Sequence, residues 1–238
     1  MLFEDTPWSL ILRAKKADTE NLRHALDKLC GMYWTPLYAY ARMRGQSVED
    51  AQDIVQSFFE TQLKRDFLKT LDPERGHFRS FLLTSISNFM INEWAKATRK
   101  KRGAGQYAIP IDTETGEQAV SPLLNAPITP EQAFEREWAV VLIRRALEST
   151  REHYVGSDKV ELFNAMQPYI SVDRQRTSYA ELAKQLGTTE SSVKSSIYRL
   201  RGRFRDAVRR EVCRVVDDPD DEEATDDEIR YLMQVFST

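Results

Sequence analysis

The chain has few of the residues that build small chemical centres. It holds two cysteines and three histidines in 238 residues. Cys30 and Cys213 lie far apart, and neither has a second Cys or a His at ligand spacing, so a disulfide framework or a zinc site is not expected. His24, His77 and His153 stand alone, and there is no phosphate loop, dinucleotide-type glycine pattern or paired-His motif. An enzyme is therefore not expected, with no catalytic residue, metal or cofactor assigned. No run approaches the roughly 18 uncharged apolar residues of a membrane span. The start Met1-Leu2-Phe3-Glu4-Asp5 lacks the basic-then-apolar pattern of a signal peptide. The expectation is a cytoplasmic protein without a membrane partner.

Glycine is scarce and alternation of β-branched residues is nearly absent, whereas apolar residues recur three and four apart. The fold class expected is all-α, as two helical domains joined by a flexible linker. Helices are predicted from about Thr6 to Lys16 and from Thr19 to Arg44, the second closing at Gly45. Ser47 then caps a helix that carries Ala51, Ile54, Val55, Phe58 and Phe59 on one face. A turn at Asp72-Pro73-Glu74-Arg75-Gly76 precedes a helix marked by Phe78, Phe81, Leu82, Ile86 and Phe89.

That helix leads into the basic run of Lys96, Arg99, Lys100, Lys101 and Arg102. From Gly103 to Pro130, glycines and prolines punctuate a polar text with little periodicity, which reads as linker. Thr129 and Pro130 open a helix to about Glu152, and others are predicted over Lys159–Ile170, Ser178–Leu186 and Glu190–Val216. Asp217 to Glu228 is heavily acidic and reads as a solvating tail, the alternative being one folded back on the adjoining basic helix to suppress DNA binding, with a short amphipathic helix from Glu228 to Phe236. The expected domains are residues 1–102, a linker over 103–130, a second domain over 131–216 and a tail over 217–238.

A formal net charge of −3 averages over segments of opposite sign, and local fields decide what binds. The basic run after Lys96 and a second basic stretch between Arg174 and Arg214 suggest two contacts with a polyanion. In the second, the text from Tyr179 to Val193 has helix-turn-helix spacing. Ala183 is small where two helices cross, Gly187 permits a tight turn, and Val193 and Ile197 return to the core. Lys194, Tyr198, Arg201, Arg205 and Arg209 form a mostly basic stripe beside the apolar one. Thr189, Ser191, Ser192, Lys194 and Ser195 open the second helix where such a motif meets DNA, with Arg199 and Arg201 following.

In the first half, Asp50-Ala51-Gln52-Asp53-Ile54-Val55-Gln56 and Phe78-Arg79-Ser80-Phe81-Leu82 with Asn88 and Asn92 occur in an order that resembles bacterial RNA polymerase sigma factors of the extracytoplasmic-function type. The resemblance implies that Asp53 and Gln56 contact the coiled coil of the largest subunit of core RNA polymerase. It implies further that Asn88 and Asn92 meet melted minus-ten DNA and that residues 179–210 read the minus-thirty-five element as duplex; on charge alone, Arg99, Lys100, Lys101 and Arg102 suit the backbone of a single strand. Core polymerase and promoter DNA are the implied partners, with room for an anti-sigma factor or other regulator. Phe81 stands where the family often has tryptophan and is placed in the core. The competing reading is a one-component regulator that binds duplex operator with the helix-turn-helix. It would need a ligand pocket or phosphoacceptor site in the first half, and the sequence shows neither.

Overall fold

A computed structural model describes residues 19–62, 77–97, 113–171, 178–216 and 221–237. The helix over residues 6–16, the turn over 72–76 and the basic residues Arg99, Lys100, Lys101 and Arg102 lie outside the described residues. The protein is all-α, with no strand among the described residues, and none of its described helices is long and apolar enough to cross a membrane. Two compact units divide the chain: Met1–Val141 with Arg214–Thr238, and Leu142–Cys213.

In the first unit, α1 spans Thr19–Met43, α2 Val48–Gln62 and α3 Phe78–Ala97. Leu29, Tyr33, Leu37 and Ala41 are buried along α1 at helical spacing, against Ala51, Val55, Phe58 and Phe59 of α2 and Phe78, Leu82, Ile86 and Phe89 of α3. Aromatic pairs join the three: Trp34 stacks on Phe59 at 6.2 Å, and Tyr33 and Phe58 meet Phe78 and Phe89 edge-on at 5.4 and 5.7 Å. Pro36 lies inside α1, where it removes a backbone donor, yet the helix continues because its neighbours are fixed in this core. Gly45 ends the helix at φ +86°. Its N–H donates to the Arg42 carbonyl and the N–H of Gln46 to that of Ala41, so a β-carbon here would be strained. Ser47 Oγ accepts from the Asp50 N–H at 3.0 Å and starts α2.

Of the segment expected as linker, residues 113–130 are described and partly helical. α4 spans Thr113–Val120 and is followed by a 3₁₀ turn at Leu123–Asn125. Val120 and Leu123 are buried, and Gly116 lies where a β-carbon would meet the Tyr38 ring at 3.7 Å. Glu117 accepts hydrogen bonds from the Tyr38 hydroxyl at 2.5 Å and from Nε and Nη2 of Arg42 at 3.0 and 2.9 Å. This pairing draws α4 onto α1. It holds the Glu117 carboxyl below the usual carboxylate range, while burial and Glu117 push the Tyr38 hydroxyl up to about 12.

The acidic tail also differs from its expectation. α5 spans Pro130–Val155, and α9, the last helix, spans Glu222–Val235. Thr225, Glu228 and Leu232 of α9 are buried. Glu228 receives Nη1 and Nη2 of Arg79 at 2.5 and 3.3 Å, Glu135 of α5 lies 3.2 Å from Nε of Arg79, and the rings of Trp138 and Tyr231 cover the guanidinium at 4.4 and 4.9 Å. A charge this far from water requires such partners. Residues 222–235 of the tail are therefore a docked element, and the compact units divide inside α5, between Val141 and Leu142.

In the second unit, α6 spans Val160–Met166, α7 Tyr179–Gln185 and α8 Glu190–Cys213, with the latter half of α5. Tyr154, Phe163, Met166, Tyr169, Leu182, Val193, Ile197 and Leu200 form its core, with Ala183 buried among them. Ser178 and Glu181 close a reciprocal cap on α7, which lowers the Glu181 carboxyl. Gly187 at φ +62° ends α7 with the bond pattern seen at Gly45.

Candidate functional site

The candidate residues of the first unit lie on the sides of α2 and α3 turned from their core. On α2, Asp53, Gln56 and Glu60 follow spacing i, i+3, i+7, which makes one stripe. Asp53 is exposed, Gln56 is half-buried, and its amide donates to Glu60 at 2.9 Å. That bond fixes one amide while leaving the Asp53 carboxylate in water, so the stripe presents charge and hydrogen-bonding groups without an apolar centre.

On α3, Asn88 and Asn92 are exposed one turn apart, and Phe81 lies on the same face two turns before Asn88. Phe81 is half-buried and stacks on Phe78 with ring centroids 6.2 Å apart, so it sits at the edge of the core. Ile91 beside the amides is 55% exposed. An edge aromatic, an exposed aliphatic and two amides can offer stacking and base-edge hydrogen bonds to unpaired nucleotides. Arg79 is absent from this face: its side chain is buried in the opposite direction, against α5 and α9. Nothing in the local text distinguishes it, because Glu228 follows it by 149 residues.

In the second unit the candidates cluster at the start of α8. Thr189 Oγ1 accepts from the Ser192 N–H at 3.2 Å and caps the helix. Ser191, Ser192, Lys194 and Ser195 are exposed around the first two turns. Lys194 pairs with Glu190 at 2.7 Å, the hydrogen bond that raises its pKa, and lies 5.9 Å from the Tyr179 ring. An exposed pair of this kind is weak and screened by salt, so Lys194 can exchange Glu190 for a phosphate.

Arg199 donates to Ser196 Oγ at 3.2 Å. Arg201 differs from a simple member of the basic stripe: its Nε donates to the Tyr169 carbonyl at 2.8 Å, which ties α8 to the 3₁₀ turn at Gln167–Tyr169 after α6. Tyr198 is 79% exposed. Among the described residues no group of three or more His, Cys, Asp or Glu side chains could hold a metal ion.

Residues 31–100 match the family model of Sigma-70 region 2. The match begins inside α1, ends just past α3 and includes Asp53, Gln56, Asn88 and Asn92. This segment is thus similar to Sigma-70 region 2, a family whose members bind core RNA polymerase and promoter DNA. No curated protein and no solved structure matches the chain.

Proposed function

We propose that the protein is a sigma factor of the extracytoplasmic-function type, which joins core RNA polymerase and directs it to promoters. The observation that carries this reading is the region 2 match together with the exposure of Asp53, Asn88 and Asn92 on two helices of one packed unit. The α2 stripe is the surface for the coiled coil of the largest polymerase subunit, with Asp53 as its charged contact. Asn88 and Asn92 capture unpaired minus-ten bases, and the basic residues Arg99, Lys100, Lys101 and Arg102 follow the backbone of the melted strand.

The second unit acts as a region 4. α7, the turn at Gly187 and α8 have the order of a helix-turn-helix, whose second helix lays its first turns in the major groove of the minus-thirty-five element. Thr189, Ser191, Ser192, Lys194 and Ser195 meet the duplex, and Arg199 and Arg201 reach phosphates. No step is enzymatic; the polymerase supplies the nucleotidyl transfer.

The test is co-elution of purified protein with core RNA polymerase, followed by runoff transcription from promoters upstream of its own gene. Assembly with specific initiation is expected. Retention of duplex DNA binding with no polymerase binding would overturn the reading in favour of a one-component regulator.

A further inference from the structure

A cleft of about 340 Å³ opens in the second unit between the C-terminal turn of α5, the loop leading to α6 and the middle of α8. His153, Lys159, Arg199 and Arg203 line it, with the hydroxyls of Ser157 and Ser196, and among the described residues its lining contains no Asp or Glu. Arg199 and Arg203 stand one turn apart on α8, where like charges destabilise a helix. Both guanidinium charges are felt at the Tyr154 hydroxyl, whose pKa burial raises while the two arginines act in the opposite sense. Two hydroxyls border the same space. Ser157 Oγ donates to the His153 carbonyl at 3.1 Å, and Ser196 Oγ accepts from Arg199, leaving its own proton for another acceptor.

A solvated basic face would be a stripe along one helix. Here Lys159 comes from the loop before α6 and Arg199 and Arg203 from α8, with the His153 imidazole beside them, and among the described residues the cavity lining holds no neutralising acid. Arginine and lysine around hydroxyl donors are suited to an anion with several acceptor oxygens. We propose that this cleft is a phosphate-binding site, filled by a backbone phosphate of duplex DNA or by the phosphate of a free ligand. The DNA source rests on the reading of α7 and α8 as a duplex reader; the phosphate chemistry does not.

The experiment uses the full chain with Lys159→Ala, Arg203→Ala and the double variant, all at exposed positions. Arg151→Ala serves as an equal loss of charge outside the cleft. Duplex promoter DNA is titrated across salt, and inorganic phosphate is titrated while the amide signals of Ser157 and Ser196 are followed. For a backbone phosphate, the slope of log affinity against log salt falls by about 0.9 in Lys159→Ala and Arg203→Ala, and Arg151→Ala keeps the wild-type slope. Wild-type slopes, with phosphate shifts present in the parent and lost in the double variant, assign the site to a free phosphate-bearing ligand. Wild-type slopes and no phosphate shifts that depend on Lys159 and Arg203 overturn the proposal. Failure of the parent protein to bind duplex DNA would remove the duplex reading, and the phosphate titration would still decide the cleft.

Discussion

Arg79 is held between Glu228 and Glu135 and covered by two aromatic rings, in a place where a lone cation could not remain. Removing one partner of a buried pair costs about 3 kcal/mol, because the other is left charged and dry. Glu228→Gln is therefore expected to destabilise the first unit by about that amount in urea unfolding followed by tryptophan fluorescence; an unchanged midpoint would mean that Glu135 alone suffices. At α4 the effects depend on pH. The folded state holds the Glu117 carboxyl below its ordinary value of 4.5, so the stability it contributes is present above that value and is lost as pH falls below it. Tyr38 is raised from 10.0 to about 12, so its contribution is complete below 10 and is lost as pH rises toward 12. Glu117→Gln should flatten the acid limb of a plot of unfolding midpoint against pH and shorten the alkaline one. Parallel curves for parent and variant would show that the Arg42–Glu117–Tyr38 contact does not couple to folding.

At the scale of the element, helix ends were legible wherever a single residue type controls the backbone. Gly45, Ser47, Thr129, Ser178 and Gly187 mark boundaries in the text and in the structure, because a positive φ or an N-cap is a local requirement. α4 and α9 were less legible. The buried stripe of α9 is Thr225, Glu228 and Leu232, two of them polar, so its core side carries little apolar signal; Asp221 caps the helix eight residues before Ile229, where the apolar run begins. α4 joins the first unit through Glu117, whose partners lie 75 and 79 residues earlier. Periodicity reports what one helix buries and is silent on which distant charge completes it. Removal of residues 221–238 is accordingly expected to lower the stability of the first unit and to leave the thermal transition of the second in place, read by domain-resolved hydrogen exchange. Gly187→Ala should act in the opposite place, costing the second unit about 1 kcal/mol for an L-residue in the left-handed region.

Across the whole molecule the formal charge of −3 conceals an uneven distribution of charge. Basic residues are concentrated on α8 and acidic ones on α9, and the candidate polymerase stripe lies on α2, in a different compact unit from α8. Of the candidate site, the exposed positions of Asp53, Asn88 and the α8 start could be read from helical spacing, whereas the tie between Arg201 and Tyr169 could not, since its acceptor is a backbone carbonyl. If polymerase binding and duplex binding reside in separate units, they can be broken one at a time. Asp53 is exposed on a helix whose other face is packed, so Asp53→Ala leaves the core as it is. Loss of a charged contact near the centre of an interface costs about 1.4 kcal/mol, or tenfold in affinity. Asp53→Ala should therefore weaken assembly with core polymerase about tenfold by competition against the parent protein, with duplex affinity and its salt slope unchanged. Equal loss of both activities would show that the two units do not act independently, and unimpaired assembly would remove Asp53 from the polymerase surface.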